Sequence, residues 1–278
     1  MSNQAQNVFN KLCKAVETDQ IKLPTLPEVA LKIRDAVEKD THSAAEIAEL
    51  LSQDSALSAR LLQLANSPLY RTRNEVDSLQ QAITRLGVRI VKDLVVMLAI
   101  KQAFSTSNKE IEQQFREIWQ TSIDVAAISR VLAKTQNGLD TEQAVLAGLI
   151  HNIGTLPIIE LANRDPSLID NNDELASIIR EIQGPLGEKI LNFWHFPQAL
   201  IDVVGQWNNF SRRHNNNADY VDIIQAAILH TQHKPVEIPQ DWSTVPAFEK
   251  LGLDPSIRSF DESLQDQLDD ARSSLLNI

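Results

Sequence analysis

The chain has one cysteine, Cys13, in 278 residues, so no disulfide can form within it and no zinc site can draw on two thiolates. A reducing compartment is the simplest consequence. Glycine is scarce too, with eight in all, and no short alternating apolar segments joined by hairpin turns occur. No glycine-rich phosphate loop and no G-x-S-x-G nucleophile elbow is present. Long hydrophobic runs are missing: the longest, 94–100 and 144–150, fall far short of the roughly 18 residues that cross a bilayer. The first 17 residues are interrupted by Lys11 and Lys14 and lack the apolar stretch of a signal peptide. The expectation is a soluble, cytoplasmic protein with no membrane partner. Positive charge is in deficit, 26 Lys and Arg against 37 Asp and Glu, a net −11. That balance disfavours nucleic acid as a partner, because a polyanion is held by a basic surface.

What is present is helical period. Hydrophobic residues make up 43% of the chain, enough for a sizeable core, and the punctuation falls between segments of 3.6-residue repeat. Val8, Leu12 and Val16 mark a leading helix within 1–20. The prolines of Leu23-Pro24-Thr25-Leu26-Pro27 impose an extended stretch before Pro27 opens a helix striped by Val29, Ile33 and Val37. Ser43 with Glu46 predicts a capping box, Asp54 a further N-cap, and Ser78 with Gln81 another. Gly87 separates the helix over 79–86 from an apolar helix over 88–104 that reads as buried on most sides. The polar stretch 105–109 is the best internal boundary. Helices are then expected from Phe115 to Leu132, over 144–152 with Gly154 closing it, over 174–182, 185–193, 197–206 and 220–230, and finally over 261–276. Residues 211–219 read as an exposed loop and the chain after His233 as proline-rich. The fold class is all-α: a two-part helical bundle, with an N-terminal helical part (21–108) packed on a second helical core (109–232), a leading helix (1–20) and a C-terminal tail and helix (233–278).

Six histidines are candidates for chemistry. His230 and His233, three apart, could share a metal, but a helix end with solvent-facing imidazoles explains them more simply. His195 lies between Trp194 and Phe196, where packing at a helix corner is the default, and His42 carries no motif. His151 stands apart in Ala147-Gly148-Leu149-Ile150-His151-Asn152-Ile153-Gly154. Small residues there let another helix approach, and a histidine followed by a carboxylate could hold a hydrolytic divalent ion. Here the second member is a neutral amide.

That segment resembles the signature of the HD superfamily of metal-dependent phosphohydrolases. The first half resembles, more specifically, the HDOD family of bacterial signalling proteins. The resemblance is carried by Leu23–Pro27, Ser52-Gln53-Asp54, Leu64-Ala65-Asn66-Ser67-Pro68-Leu69-Tyr70 and Ala82-Ile83-Thr84-Arg85-Leu86-Gly87. It continues through Trp119, Ser122, Val125, Ala126, Trp194 and Pro197, and covers about 21–232. Ser55 departs from the proline usual after that aspartate. The superfamily's ligand positions would fall at Thr121, at His151 and Asn152, at Gln183, near Trp207 and Asn208, and near Ile228. Only His151 keeps a metal ligand, which implies a degenerate site with no catalytic residue, no cofactor and no bound metal.

The resemblance therefore implies a non-catalytic output or adaptor module in bacterial signal transduction. The remaining residues leave no room for receiver, kinase or cyclic-dinucleotide domains, so signalling partners are expected in trans. Two alternatives stand beside it. One is a phosphohydrolase acting on a nucleotide or phosphoester with a divalent metal at His151. The other is a non-catalytic nucleotide sensor using the vacated pocket. Residues 66–70 read as a helix stop, with Tyr70, Arg71 and Arg73 as a possible partner surface, since arginine and aromatic side chains dominate hot spots. Oligomeric state stays open.

Overall fold

The computed structural model describes residues 1–17, 27–38, 43–70, 75–166, 171–214, 217–231 and 238–276. Among them there is no strand. The predicted extended stretch at 23–26, His42, Arg71, Arg73 and His233 lie outside the described residues.

The first part comprises α1 (Asn3–Glu17), α2 (Glu28–Glu38), α3 (Ala44–Ser52), α4 (Ser55–Ala65), α5 (Leu79–Leu86) and α6 (Val88–Ala103). The second comprises α7 (Lys109–Lys134), α8 (Thr141–Ile150), α9 (Thr155–Arg164), α10 (Asn172–Phe193), α11 (Gln198–Gln206) and α12 (Tyr220–His230). A 3₁₀ turn (Trp242–Thr244), α13 (Pro246–Leu251) and α14 (Glu262–Leu276) follow.

The predicted caps start their helices. The Ser43 hydroxyl accepts from the Glu46 N–H at 3.3 Å while the Glu46 carboxylate accepts from the Ser43 N–H at 2.7 Å. Asp54 accepts from Leu57 N–H and Ser78 from Gln81 N–H. Each satisfies an N–H that has no partner inside its helix. α6 is buried from Val91 to Ile100 apart from Lys92, and it packs on α2, α4, α5 and α8. One hydrophobic core runs from Ala30 to Leu275 and joins both parts. A second cluster seats Ala5, Val8, Leu12 and Ala15 of α1 against Ile158 of α9 and Ile178, Ile182 and Leu186 of α10.

Three expectations about elements are corrected. The helices expected over 174–182 and 185–193 are one, α10, with Pro185 inside it. Gly184 precedes that proline, so there is no Cβ for the pyrrolidine ring to strike, and Ile182, Leu186 and Ile190 bury both halves on one face. α9 was not expected. Its Pro157 stands in the first turn, where the missing N–H would have had no intrahelical acceptor. Within the proline-rich tail, Pro246 opens α13 and Gly252, at φ 65°, closes it in the left-handed conformation. The apolar stretch within Thr141–Arg164 is core: 94% of its most apolar 18 residues are buried.

Candidate functional site

The site is the turn between α8 and α9, and two glycines bring three helices to it. A Cβ on Gly148 would lie 2.4 Å from the Ala126 Cα, so α8 touches the backbone of α7. A Cβ on Gly154 would lie 2.0 Å from the Gln183 carbonyl oxygen, which fixes α10 equally close. The small residues that the sequence placed here do serve helix approach.

His151 is 1% exposed. Its Nδ1 is 2.6 Å from the Gly148 carbonyl, which can only accept, so Nδ1 carries the proton and Nε2 the lone pair. Nε2 has no hydrogen-bond partner. The ring meets Trp207 edge to face, centroids 5.0 Å apart at 87°, and the buried Trp207 Nε1 is also unpartnered. Burial lowers the His151 pKa to about 4 against the weaker opposing effect of the Gly148 bond, so the imidazole is neutral at pH 7.

Asn152 is buried beside α7. Ser122 Oγ lies 3.0 Å from Asn152 Oδ1 and 2.9 Å from the Ile118 carbonyl oxygen, and its single proton serves both. Gln183 Oε1 accepts from Thr155 Oγ1 at 3.0 Å, while its Nε2 is buried without a partner. Thr121 is half-buried and donates to the Glu117 carbonyl at 3.0 Å. Asn208 donates to the Arg180 carbonyl at 3.4 Å, and Ile228 is wholly buried on α12. The fold thus pairs His151 with Trp207 and Asn152 with Ser122, while Thr121 and Asn208 bond main-chain carbonyls.

As a donor set for a divalent ion these side chains do not fit. Hydroxyls and amides are weak neutral ligands, an indole N–H offers no lone pair and isoleucine offers nothing. The only strong ligand atom is His151 Nε2, and a hydrolytic ion needs several with an open position.

The remaining sequence candidates fall elsewhere. Tyr70 is not a surface residue: it is 8% exposed, its hydroxyl donates to Glu142, and Glu142 pairs with Arg130. The Arg130 guanidinium lies 5.3 Å from the Tyr70 ring centroid. A phenol that closes a charged pair must leave solvent, so Tyr70 ties the first part to α7 and α8. His195 turns outward from the corner it was expected to pack in. At φ 54° it holds the left-handed position of a Schellman ending to α10, with Phe196 N–H on Leu191 O and His195 N–H on Asn192 O, both at 3.0 Å. Trp194 and Phe196 do the packing. His230 does not face solvent either; its ring lies 4.9 Å from Trp242 and 4.7 Å from Phe260.

Two features escaped the sequence reading. Asp93, on the apolar helix α6, is 4% exposed and pairs with Lys92 at 3.0 Å. Burial raises its pKa to about 6 despite Lys92. Within the stretch expected to be an exposed loop, His214 Nε2 lies 3.0 Å from Asp222 Oδ2 and 3.9 Å from Asp219 Oδ2. These three side chains could in principle share an ion. Arg212 already supplies that charge, however, at 2.6 Å from Asp219 and 3.4 Å from Asp222. The two aspartates also form the capping box of α12. The D-x-x-D spacing at 219–222 was the available signal.

An all-α bundle whose buried His-Asn turn is pinned between helices defines an HD-like protein. The HDOD domain model matches residues 23–210, and the chain belongs to the HDOD family. Its fold is similar to that of a Shewanella amazonensis SB2B protein named "Putative metal-dependent phosphohydrolase". The two are 31% identical, the match covers 99% of this chain and 100% of that one, and the TM-score is 0.81. A Marinobacter aquaeolei VT8 protein named "Putative signal transduction protein" shares the fold at 20% identity and TM-score 0.67, over 99% of this chain and 65% of that one. A curated Treponema pallidum (strain Nichols) protein, uncharacterized, is 19% identical over 94% of this chain. The chain spans about half the length of that relative, 53%.

Proposed function

We propose that this HDOD chain is a non-catalytic output or adaptor module of bacterial signal transduction, acting in the cytoplasm through contacts with signalling proteins supplied in trans. The observation that carries the reading is the single strong ligand atom among the HD positions, His151 Nε2, set against an indole rather than a carboxylate. Membership in a family of signalling modules supports the output role. Protein contact is supported by Phe193, 62% exposed at the end of α10 beside the outward-turned His195, because a large exposed ring beside a rigid helix end suits a partner's pocket.

The second reading is a metal-dependent phosphohydrolase, favoured by the name of the 31% identical Shewanella protein. Elemental analysis after purification without chelator, then after excess Mn²⁺ or Mg²⁺, separates the two. The adaptor reading expects no retained metal in either sample. Near-stoichiometric metal that is lost in His151→Ala would overturn it.

A further inference from the structure

α1 is packed apart from the main core. Its stripe of Ala5, Val8, Leu12 and Ala15 recurs at i, i+3, i+7 and i+10 and is buried in a separate cluster with α9 and α10. Among the described residues, none of α1 belongs to the core that joins the two helical parts. α1 also precedes the stretch matched by the HDOD model, whereas both walls of its groove lie inside that stretch.

The groove is preformed. Thr155, the first residue of α9, donates to Gln183 of α10 at 3.0 Å, and Gly154 brings the two backbones together. The walls therefore hold their spacing without help from α1. Glu181 of α10 accepts from the Ser2 N–H, which sets a carboxylate at the positive end of the α1 dipole. Further along, Asp165 lies 3.9 Å from Lys11, both solvent-exposed, and such a pair holds weakly. Two of the four anchors are alanines, and a helix of 15 residues is marginal alone in water. The apolar face of α10 also runs past its cover. Phe193 stands seven residues after Leu186, two turns along the same face, and is 62% exposed.

We propose that the α9–α10 groove is a docking surface for an amphipathic helix of a signalling partner, and that α1 fills it in the partner's absence. The fitting helix has apolar anchors at i, i+3, i+7 and i+10, its N-terminus at Glu181 and a basic residue facing Asp165. Tethered α1 competes at an effective concentration on the order of 1 mM. A partner that also covers Phe193 gains the contact that α1 lacks. The partner's role rests on the adaptor reading; the groove's occupancy rests on the packing alone.

The test uses the full chain. In the wild type, hydrogen exchange read by mass spectrometry should show α1 amides exchanging at least about a hundredfold faster than those of α7. Low urea should leave that rate unchanged, the mark of local opening. A labelled peptide of residues 2–17 should bind the Leu12→Glu chain, whose own helix no longer seats, with Kd below about 100 μM. Wild type should bind it at least about tenfold more weakly, because the tethered helix competes. Adding Ile182→Glu to the Leu12→Glu chain should abolish binding, and adding Glu181→Lys, on the exposed rim, should weaken it about threefold. Exchange of α1 in step with α7, unfolding of the whole chain by Leu12→Glu, absence of peptide binding, or binding that neither groove variant alters would each overturn the proposal. A wild-type dimer that swaps α1 between copies would overturn the partner as occupant. Retained metal would overturn the adaptor reading and leave the exchange and peptide results standing, so the two fail separately.

Discussion

His151 stands edge to face with Trp207, and its Nδ1 proton is committed to the Gly148 carbonyl, so its remaining lone pair, on Nε2, is buried without a hydrogen-bond partner. On the adaptor reading, restoring the adjacent carboxylate is not expected to restore a metal. Asn152→Asp places an acid at 5% exposure, with the Ser122 hydroxyl as its side-chain donor. A buried charge without a counter-ion is strongly unfavourable. We expect a loss of on the order of 3 kcal/mol in urea unfolding at pH 7, with no metal retained. A variant that gained stoichiometric Mn²⁺ without losing stability would contradict this account of the turn.

The close approach of α8 to α7 gives a sharper stability test. Gly148→Ala brings a methyl carbon to 2.4 Å from the Ala126 Cα, and a backbone atom cannot step aside as a flexible side chain would. Separating the two helices should cost about 3 kcal/mol or more. Gly138→Ala is the control: nothing lies within 4 Å of its Cβ, and only its φ of 89° resists, for about 1–2 kcal/mol. Equal effects at the two positions, measured by denaturant midpoint at unchanged slope, would refute backbone contact as the cause.

Tyr70 gives the third test. Tyr70→Phe deletes the hydroxyl that donates to Glu142 but leaves the Arg130–Glu142 pair and the ring beneath the guanidinium. The expected loss is about 1.5–3 kcal/mol, the range for a hydrogen bond to a charged group. Were Tyr70 a partner-binding residue alone, stability would not change and only complex formation would suffer.

Much of this architecture was legible because local chemistry and tertiary packing agree. Ser43-x-x-Glu46, Asp54 and Ser78 announce helix starts by the hydrogen bonds that they make. Prolines misled where context reversed their meaning, Pro157 inside a first turn and Pro185 behind a glycine that admits it. The candidate site divided in the same way. His151, Asn152 and Gln183 do gather near one turn, because the HD-like order of residues specifies the chain path. The burial of Tyr70 depends on Glu142, 72 residues away, and the outward turn of His195 on a Schellman ending that favours glycine. No local pattern encodes either.

Two buried groups titrate with opposite consequences. His151 falls from its ordinary 6.5 to about 4, so between those values the unfolded chain binds more protons and stability falls as pH drops. Asp93 rises from 3.8 to about 6, through burial first, with Lys92 opposing and Asp140 and Glu142 adding to it. Between 3.8 and 6 the folded chain binds more protons, and stability grows as pH drops. Each shift corresponds to about 3 kcal/mol across its window, so in the wild type the two nearly cancel. Single variants should unmask them. Read as a difference from the wild type, which removes the exposed carboxylates common to all, Asp93→Asn should lose relative stability by about 3 kcal/mol between pH 7 and pH 4. His151→Gln should gain a similar amount over the same interval. Urea midpoints collected at half-unit steps decide it: parallel curves for all three proteins would show that neither group titrates as its burial demands.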